Sequence, residues 1–306
     1  MPTSRPPMSR RRALQLTAAS TAALAAPWVR AQNFPDRPIT LIVPAPPGGT
    51  ADISARALQE PLGKALGQSI VVDNKGGGNG AVASMALINA KPDGHTLLMA
   101  YSGFHCMSPH LVKLPYDPLK DLQAICNVYS APQLMVVRSS LEQIKTAQDL
   151  IAYAKANPGK LNVGTINIGS TQNLAAELFK SAAAIDMQIV PFNGTPAVVT
   201  ALRGGQIDAA VEILGPVMTQ INAKALRALA VTGAKRSVVL PDVPTANESG
   251  IVGLNASSWN GLAAPAKTPP AVIARLNKDI AAAVNSPDVR KKLHDLNVEA
   301  HSSSPE

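Results

Sequence analysis

The chain has 306 residues, 46% of them apolar, 16% charged and 3% aromatic, with a formal net charge of +8. Arg5, Arg10, Arg11, Arg12 and Arg30 fall in the first 31 residues, which hold no acid, so removing those five charges from +8 leaves +3. Scattered bases and few aromatics exclude a nucleic-acid surface, and no histidine spacing on a helix offers a metal site or implies a cofactor.

Residues 1–31 read as an export signal. Ser9-Arg10-Arg11-Arg12 is a basic start, and Ala13 to Val29 is uncharged and alanine-rich. Val29-Arg30-Ala31 then places small residues at the −3 and −1 positions of a cleavage site. The arginines also fit a twin-arginine signal, although Ala13 stands where that motif prefers Phe. A membrane span needs ~20 strongly apolar residues, more than this stretch supplies. Export to the periplasm with a cut near Ala31 is expected.

The remaining residues are numerous enough for two domains. Ile39-Thr40-Leu41-Ile42-Val43 reads as a buried strand. It exits through Pro44-Ala45-Pro46-Pro47-Gly48-Gly49 into an amphipathic helix carrying Ala57, Leu58, Leu62 and Leu66 at helical spacing. Amides of Gly49, Thr50 and Ala51 would sit at the positive end of that helix, where a carboxylate or phosphate is favoured. Asp52 would cap the helix or accept a hydrogen bond from a ligand. Neither G-x-G-x-x-G nor Gly-Lys-Thr/Ser accompanies these glycines, which excludes a nucleotide loop.

A strand at Ile70-Val71-Val72, a loop over Gly76 to Gly80, a helix from Ala81 to Asn89 and a strand at Thr96 to Ala100 continue a βαβαβ rhythm, hence a parallel sheet. The grammar then repeats. Gln133 to Val137 is a strand, and Thr146 with Asp149 reads as a capping box. Leu161 to Thr165 is a strand, and Asn167-Ile168-Gly169-Ser170-Thr171-Gln172 opens a helix from Asn173 to Ser181. Ile189 to Phe192, a helix from Ala197 to Arg203, and a strand at Ile207 to Val211 follow. Leu226 to Val231 is another strand, and a last helix begins at Pro270.

Two α/β units, each with a glycine-bearing loop at the carboxyl ends of its strands, imply two lobes around a ligand cleft. Gly169, Ser170 and Thr171 form either a second amide cradle or an ordinary Ser/Thr cap. Ser102 and Glu212, at strand exits, complete the candidate ligand set with Pro47, Gly48, Gly49, Thr50 and Asp52. No paired acid and base or Ser-His-Asp order marks a catalytic site, so an enzyme is not expected. Cys106 and Cys126 would either form one disulfide or remain buried thiols.

Several further segments carry a resemblance. They are Val43-Pro44-Ala45-Pro46-Pro47-Gly48-Gly49-Thr50-Ala51-Asp52, Pro92-Asp93-Gly94-His95-Thr96-Leu97-Leu98, Leu114-Pro115-Tyr116-Asp117-Pro118, Ala156-Asn157-Pro158-Gly159-Lys160-Leu161 and Gly204-Gly205-Gln206-Ile207-Asp208. Together with Leu240-Pro241-Asp242-Val243-Pro244-Thr245, they resemble the substrate-binding proteins of tripartite tricarboxylate transporters, the Bordetella uptake gene (Bug) or TctC-like family. The resemblance implies an α/β fold of the type II periplasmic-binding-protein kind. Its lobes would be residues 32–130, then 131–235, with 236–306 returning to the first lobe and the family's last helix expected to be missing, since Ser302-Ser303-Ser304-Pro305-Glu306 stands where relatives begin it.

It also implies a monomeric receptor that holds a small mono-, di- or tricarboxylate by backbone amides and passes it to membrane permease subunits. A sensor docking on a signalling partner is the alternative, and an organic-acid enzyme a remote one. Ala45 replaces an aromatic usual in the family, Asn173 a common His and Glu212 a frequent Asp, which points to altered specificity.

Overall fold

The computed structural model describes residues 34–296 and 298–305; the expected export signal and cleavage point lie outside them. In chain order the first elements are β1 (Ile39–Val43), α1 (Thr50–Leu66), β2 (Ile70–Asn74), α2 (Ala81–Ile88), β3 (Thr96–Tyr101), α3 (Pro118–Asp121) and β4 (Leu122–Arg138). There follow α4 (Ala147–Ala156), β5 (Asn162–Ile166), α5 (Thr171–Ala182), β6 (Gln188–Phe192), α6 (Thr195–Arg203), β7 (Ala209–Ile213), α7 (Leu214–Asn222) and β8 (Leu226–Val231). The chain closes with β9 (Ser257–Pro265), α8 (Pro270–Val284), α9 (Pro287–Asp295) and β10 (Glu299–Ala300).

β1 is buried on both faces apart from the half-buried Thr40, as a mostly apolar run requires of a central parallel strand. β2 and β3 flank it in parallel, pairing Ile39 with Ile70 and Thr40 with Thr96. β9 then pairs antiparallel with β3, and the first half of β4 with β9. α1 lays Ala55, Leu58 and Leu62 against Leu276 and Ile280 of α8 in one core beneath this sheet.

The second half of β4 belongs to another sheet, ordered β8-β4-β7-β5-β6, with β5 parallel to both β6 and β7. Side chains alternate across it with the period of two that a strand imposes. Met135 and Val137 face Leu150, Ile151 and Phe179, whereas Leu134 and Val136 face Val198, Leu202 and Val217.

The chain passes between the sheets within β4 and again after β8. Thr232 ties these passages together: its hydroxyl receives the Gln133 N–H at 2.9 Å and donates to the Ala256 carbonyl at 2.7 Å. Ala246, Ile251 and Leu254 are buried with Phe179 in the core of the second sheet, and this segment runs beside β8, with the Val231 N–H donating to the Pro244 carbonyl and the Ala246 N–H to the Val231 carbonyl. The chain rejoins the first sheet at β9.

Some element bounds differ locally from those expected. β7 spans 209–213 rather than 207–211, since the Asp208 carboxylate is engaged by Arg138 at 2.9 Å and by the Asn162 N–H at 3.1 Å. α5 begins at Thr171, two residues early, because Ser170 caps it. Cys106 is exposed and Cys126 buried, and neither forms a disulfide; burial raises the pKa of both thiols.

Candidate functional site

The start of α1 is built as an open amide cradle. Gly48, at φ 87°, takes a backbone conformation that L side chains rarely adopt, and it turns the loop so that Gly49 becomes the N-cap without any side-chain cap. Asp52, expected to cap or to meet ligand, moors the loop instead. Its carboxylate accepts the Gly48 N–H at 2.9 Å, the Asn74 amide at 3.0 Å and the Arg56 guanidinium at 3.0 Å. Burial alone would raise its pKa; Arg56, Gly48 and Asn74 outweigh that and hold it below the ordinary value of 3.8. No protein group among the described residues accepts from the N–H groups of Gly49, Thr50, Ala51 or Asp52. Four free donors at a helix N-terminus form a site for negative charge.

The second predicted cradle is largely filled by its own side chains. Ser170 Oγ accepts the Asn173 N–H at 3.1 Å and Asn173 Oδ1 accepts the Gly169 N–H at 3.1 Å. Thr171 Oγ donates to Gln172 Oε1 at 3.0 Å, so the hydroxyl turns along the helix and Gln172 faces the cleft.

A third helix start, not singled out from the sequence, also faces the cleft. α6 opens at Gly194 with no side-chain cap, and Asn193, Gly194 and Thr195 line the cleft. Its signal was present as Phe192-Asn193-Gly194-Thr195-Pro196, the same succession of strand, glycine and threonine seen before α1.

The cleft between the lobes is lined by Pro44, Gly49, Thr50, Tyr101, Tyr129, Asn167, Gln172, Thr195, Ser258 and Asn260, among others, and no lining residue is charged. Pro47 and Gly48 lie exposed on the loop outside this lining, and Ser102 stands behind it, 3.3 Å from Ser258 Oγ. Ser258 and Asn260 come from β9 and the tyrosines from β3 and β4. Burial pushes both phenol pKa values well up, and Tyr129 OH has no partner among the described residues. Glu212 lies within β7, 1% exposed, behind Thr195. It accepts the Thr195 hydroxyl at 3.0 Å, with Gln172 and the Ile213 backbone amide also acting on it, and its second oxygen has no well-formed hydrogen bond among the described residues. Burial lifts its pKa to about 7 against weaker opposing hydrogen bonds.

The lobes touch across this cleft. A Cβ on Gly103 would lie 2.9 Å from Ser170 Cα, and one on Gly194 would lie 2.6 Å from Pro46 Cγ. The space left, about 50 Å³ for the centres of water-sized spheres, is several times what one water needs. This is a narrow, uncharged cleft with the free amides of α1 at one end and, at the other, the Thr195 N–H of α6, whose neighbours are spoken for: the Gly194 N–H donates to the Phe192 carbonyl, the Ala197 N–H to the Gly194 carbonyl, and Pro196 has none.

The family described as tripartite tricarboxylate transporter family receptor, TctC, matches residues 54–305. Protein BugT of Bordetella pertussis is 36% identical over 273 residues, 87% of this chain and 82% of that protein. Among solved structures, R. palustris Rpa4515 with adipate is 33% identical at a TM-score of 0.86, covering 89% of this chain and 91% of its own. MatC (Rpa3494) from Rhodopseudomonas palustris with bound malate is 32% identical at 0.81, covering 87% and 90%. These proteins are solute-binding receptors rather than enzymes, and they share the two-lobed α/β architecture. The chain belongs to the tripartite tricarboxylate transporter receptor (TctC) family.

Proposed function

We propose that this protein is a periplasmic receptor that closes on a small dicarboxylate. The observation that carries the reading is the unpartnered N-terminus of α1, with its four free N–H groups, opposite the uncapped start of α6 in a cleft without a charged side chain. Each helix start attracts one anionic group, and two of them on opposing lobes suit a ligand with a carboxylate at each end. Gly49, Thr50, Ala51 and Thr195 would hold the carboxylates, and Gln172, Asn167, Ser258 and Asn260 would surround the linker. Adipate and malate, found with Rpa4515 and MatC, have this form. Gly169, Ser170 and Thr171 serve by shaping α5 and its contact with Gly103.

The lobes in this reading are residues 34–132 with 257–305, and residues 133–256. Closure bends both passages at the Thr232 tie, and ligand shifts the population toward the closed form. The mature receptor begins after Ala31, acts as a monomer and delivers its ligand to permease subunits of a tripartite transporter.

Thermal shift and calorimetry of residues 32–306 test the reading. At 100 times its dissociation constant a ligand adds ~2.7 kcal/mol of stability. Malate, succinate or adipate should raise the melting temperature while the corresponding diamides leave it unchanged. A folded protein that ignores every dicarboxylate and responds to a sugar or nucleotide refutes it.

A further inference from the structure

Thr195 has one hydroxyl proton and two demands on it. The residue sits at the first position of α6, lines the cleft, and donates that proton backwards to Glu212 Oε2 at 3.0 Å. While it does so, the hydroxyl offers the cleft only lone pairs. A carboxylate arriving at the start of α6 is itself only an acceptor, so the two oxygens repel where the Thr195 N–H and the helix dipole attract.

Protonation of Glu212 reverses the polarity. A neutral Glu212 carboxyl donates its O–H to Thr195 Oγ, and Thr195 turns its own proton to the ligand. The proton comes from solvent, and nothing else changes hands. We infer that Glu212 is a positioning residue that couples capture of a carboxylate to uptake of one proton, by setting whether Thr195 faces the cleft as donor or acceptor. This inference rests on the carboxylate-receptor reading.

The surroundings favour it. Glu212 is 1% exposed, and its second oxygen has no well-formed hydrogen bond among the described residues. The groups that face it are Thr195 from α6, Gln172 from α5, the backbone amide of Ile213 and, across the sheet, Leu134 of β4. No lysine, arginine, histidine or second acid acts on it. The titratable side chains lining the cleft are Tyr101 and Tyr129, both phenols kept neutral by burial. With no counter-charge to compensate ionisation, burial holds the carboxyl near the point where ligand can decide its state.

The probes are adipate and succinate, which carry no hydroxyl to satisfy a lone pair on Thr195. Calorimetry at pH 7.5 in phosphate and in Tris should give enthalpies that differ by the buffers' ionisation heats, reporting uptake approaching one proton. Affinity should fall close to tenfold per pH unit above neutrality. Glu212→Gln, whose amide donates at every pH, should bind with buffer-independent enthalpy and, at pH 8, about tenfold more tightly than wild type. Thr195→Val, which keeps Glu212 but removes the relay, should bind more weakly and also lose the proton uptake. Binding with buffer-independent enthalpy in the wild type overturns the inference alone. Proton uptake that survives in Thr195→Val overturns it too, by placing the proton elsewhere. Failure of every dicarboxylate to bind removes the receptor reading and this inference with it.

Discussion

Gly103→Ala should hold the receptor open. Gly103 follows β3 in the first lobe and lies against the start of α5 in the second. An alanine there would place its Cβ 2.9 Å from Ser170 Cα and 3.1 Å from Thr171 N, both backbone atoms that cannot swing aside. Ordinary contact begins near 3.4 Å, so the lobes must part by several tenths of an ångström at this point. Gly103 does not sit at positive φ, so alanine strains neither its own backbone nor either lobe's core. Overpacking of this kind costs about 1–3 kcal/mol, charged here to the closed state alone. At 1.4 kcal/mol per tenfold, dicarboxylate affinity should fall roughly 5- to 150-fold. Calorimetry gives the affinity, ligand-free melting gives the stability, and small-angle scattering with saturating ligand reports whether the radius of gyration still contracts. Unchanged affinity, with a melting temperature equal to wild type, would refute the claim that this contact limits closure.

Three further changes probe the mooring, the buried acid and the hinge. Asp52→Asn unpairs Arg56 and weakens the bond to Gly48, and should cost about 1–2 kcal/mol at pH 7. Because its folded pKa is lowered, that difference should vanish as pH falls below 3.8, which urea titrations at several pH values can follow. Glu212 has the opposite sign: a folded pKa raised from 4.5 to about 7 means that the native state holds a proton which the unfolded chain releases. Ligand-free stability should therefore drop by up to roughly 3 kcal/mol as pH rises across that interval, and Glu212→Gln should flatten the profile. Thr232→Val strands the buried Gln133 N–H and should cost about 1–3 kcal/mol in chemical denaturation.

Much of this architecture was legible because it is local. The Ile39–Val43 strand, the helix after Gly49 and the Thr146–Asp149 capping box follow from neighbours in sequence, and each stands in the structure. What escaped depends on distant partners. The first half of β4 has its alternation interrupted by register shifts at Ala124/Cys126 and Asn127/Tyr129, so no period of two survives to be read. β9, with Asn260, Gly261 and paired alanines, has weak strand preference; its place between β3 and β4 comes from pairing with residues more than a hundred positions away. Ser258 and Asn260 were invisible for that reason. Asp52 was singled out on sound grounds, yet only the fold shows Arg56, Asn74 and Gly48 saturating it. Glu212 seemed to follow a strand, but β7 extends through Ile213 and carries it inward behind Thr195.

An uncharged lining has a consequence for letting go. An anion gripped by an arginine remains paired with it wherever that side chain swings, and must be pulled from a partner of full charge. In the proposed reading the grip is divided between two bodies, and each half is a peptide dipole that fades within about one helical turn. Once the lobes separate, neither half alone resembles a strong site, so attraction collapses with the first few ångströms of opening. Capture and discharge become a single mechanical coordinate, and whatever pries the lobes apart empties the cleft without having to compete for the cargo.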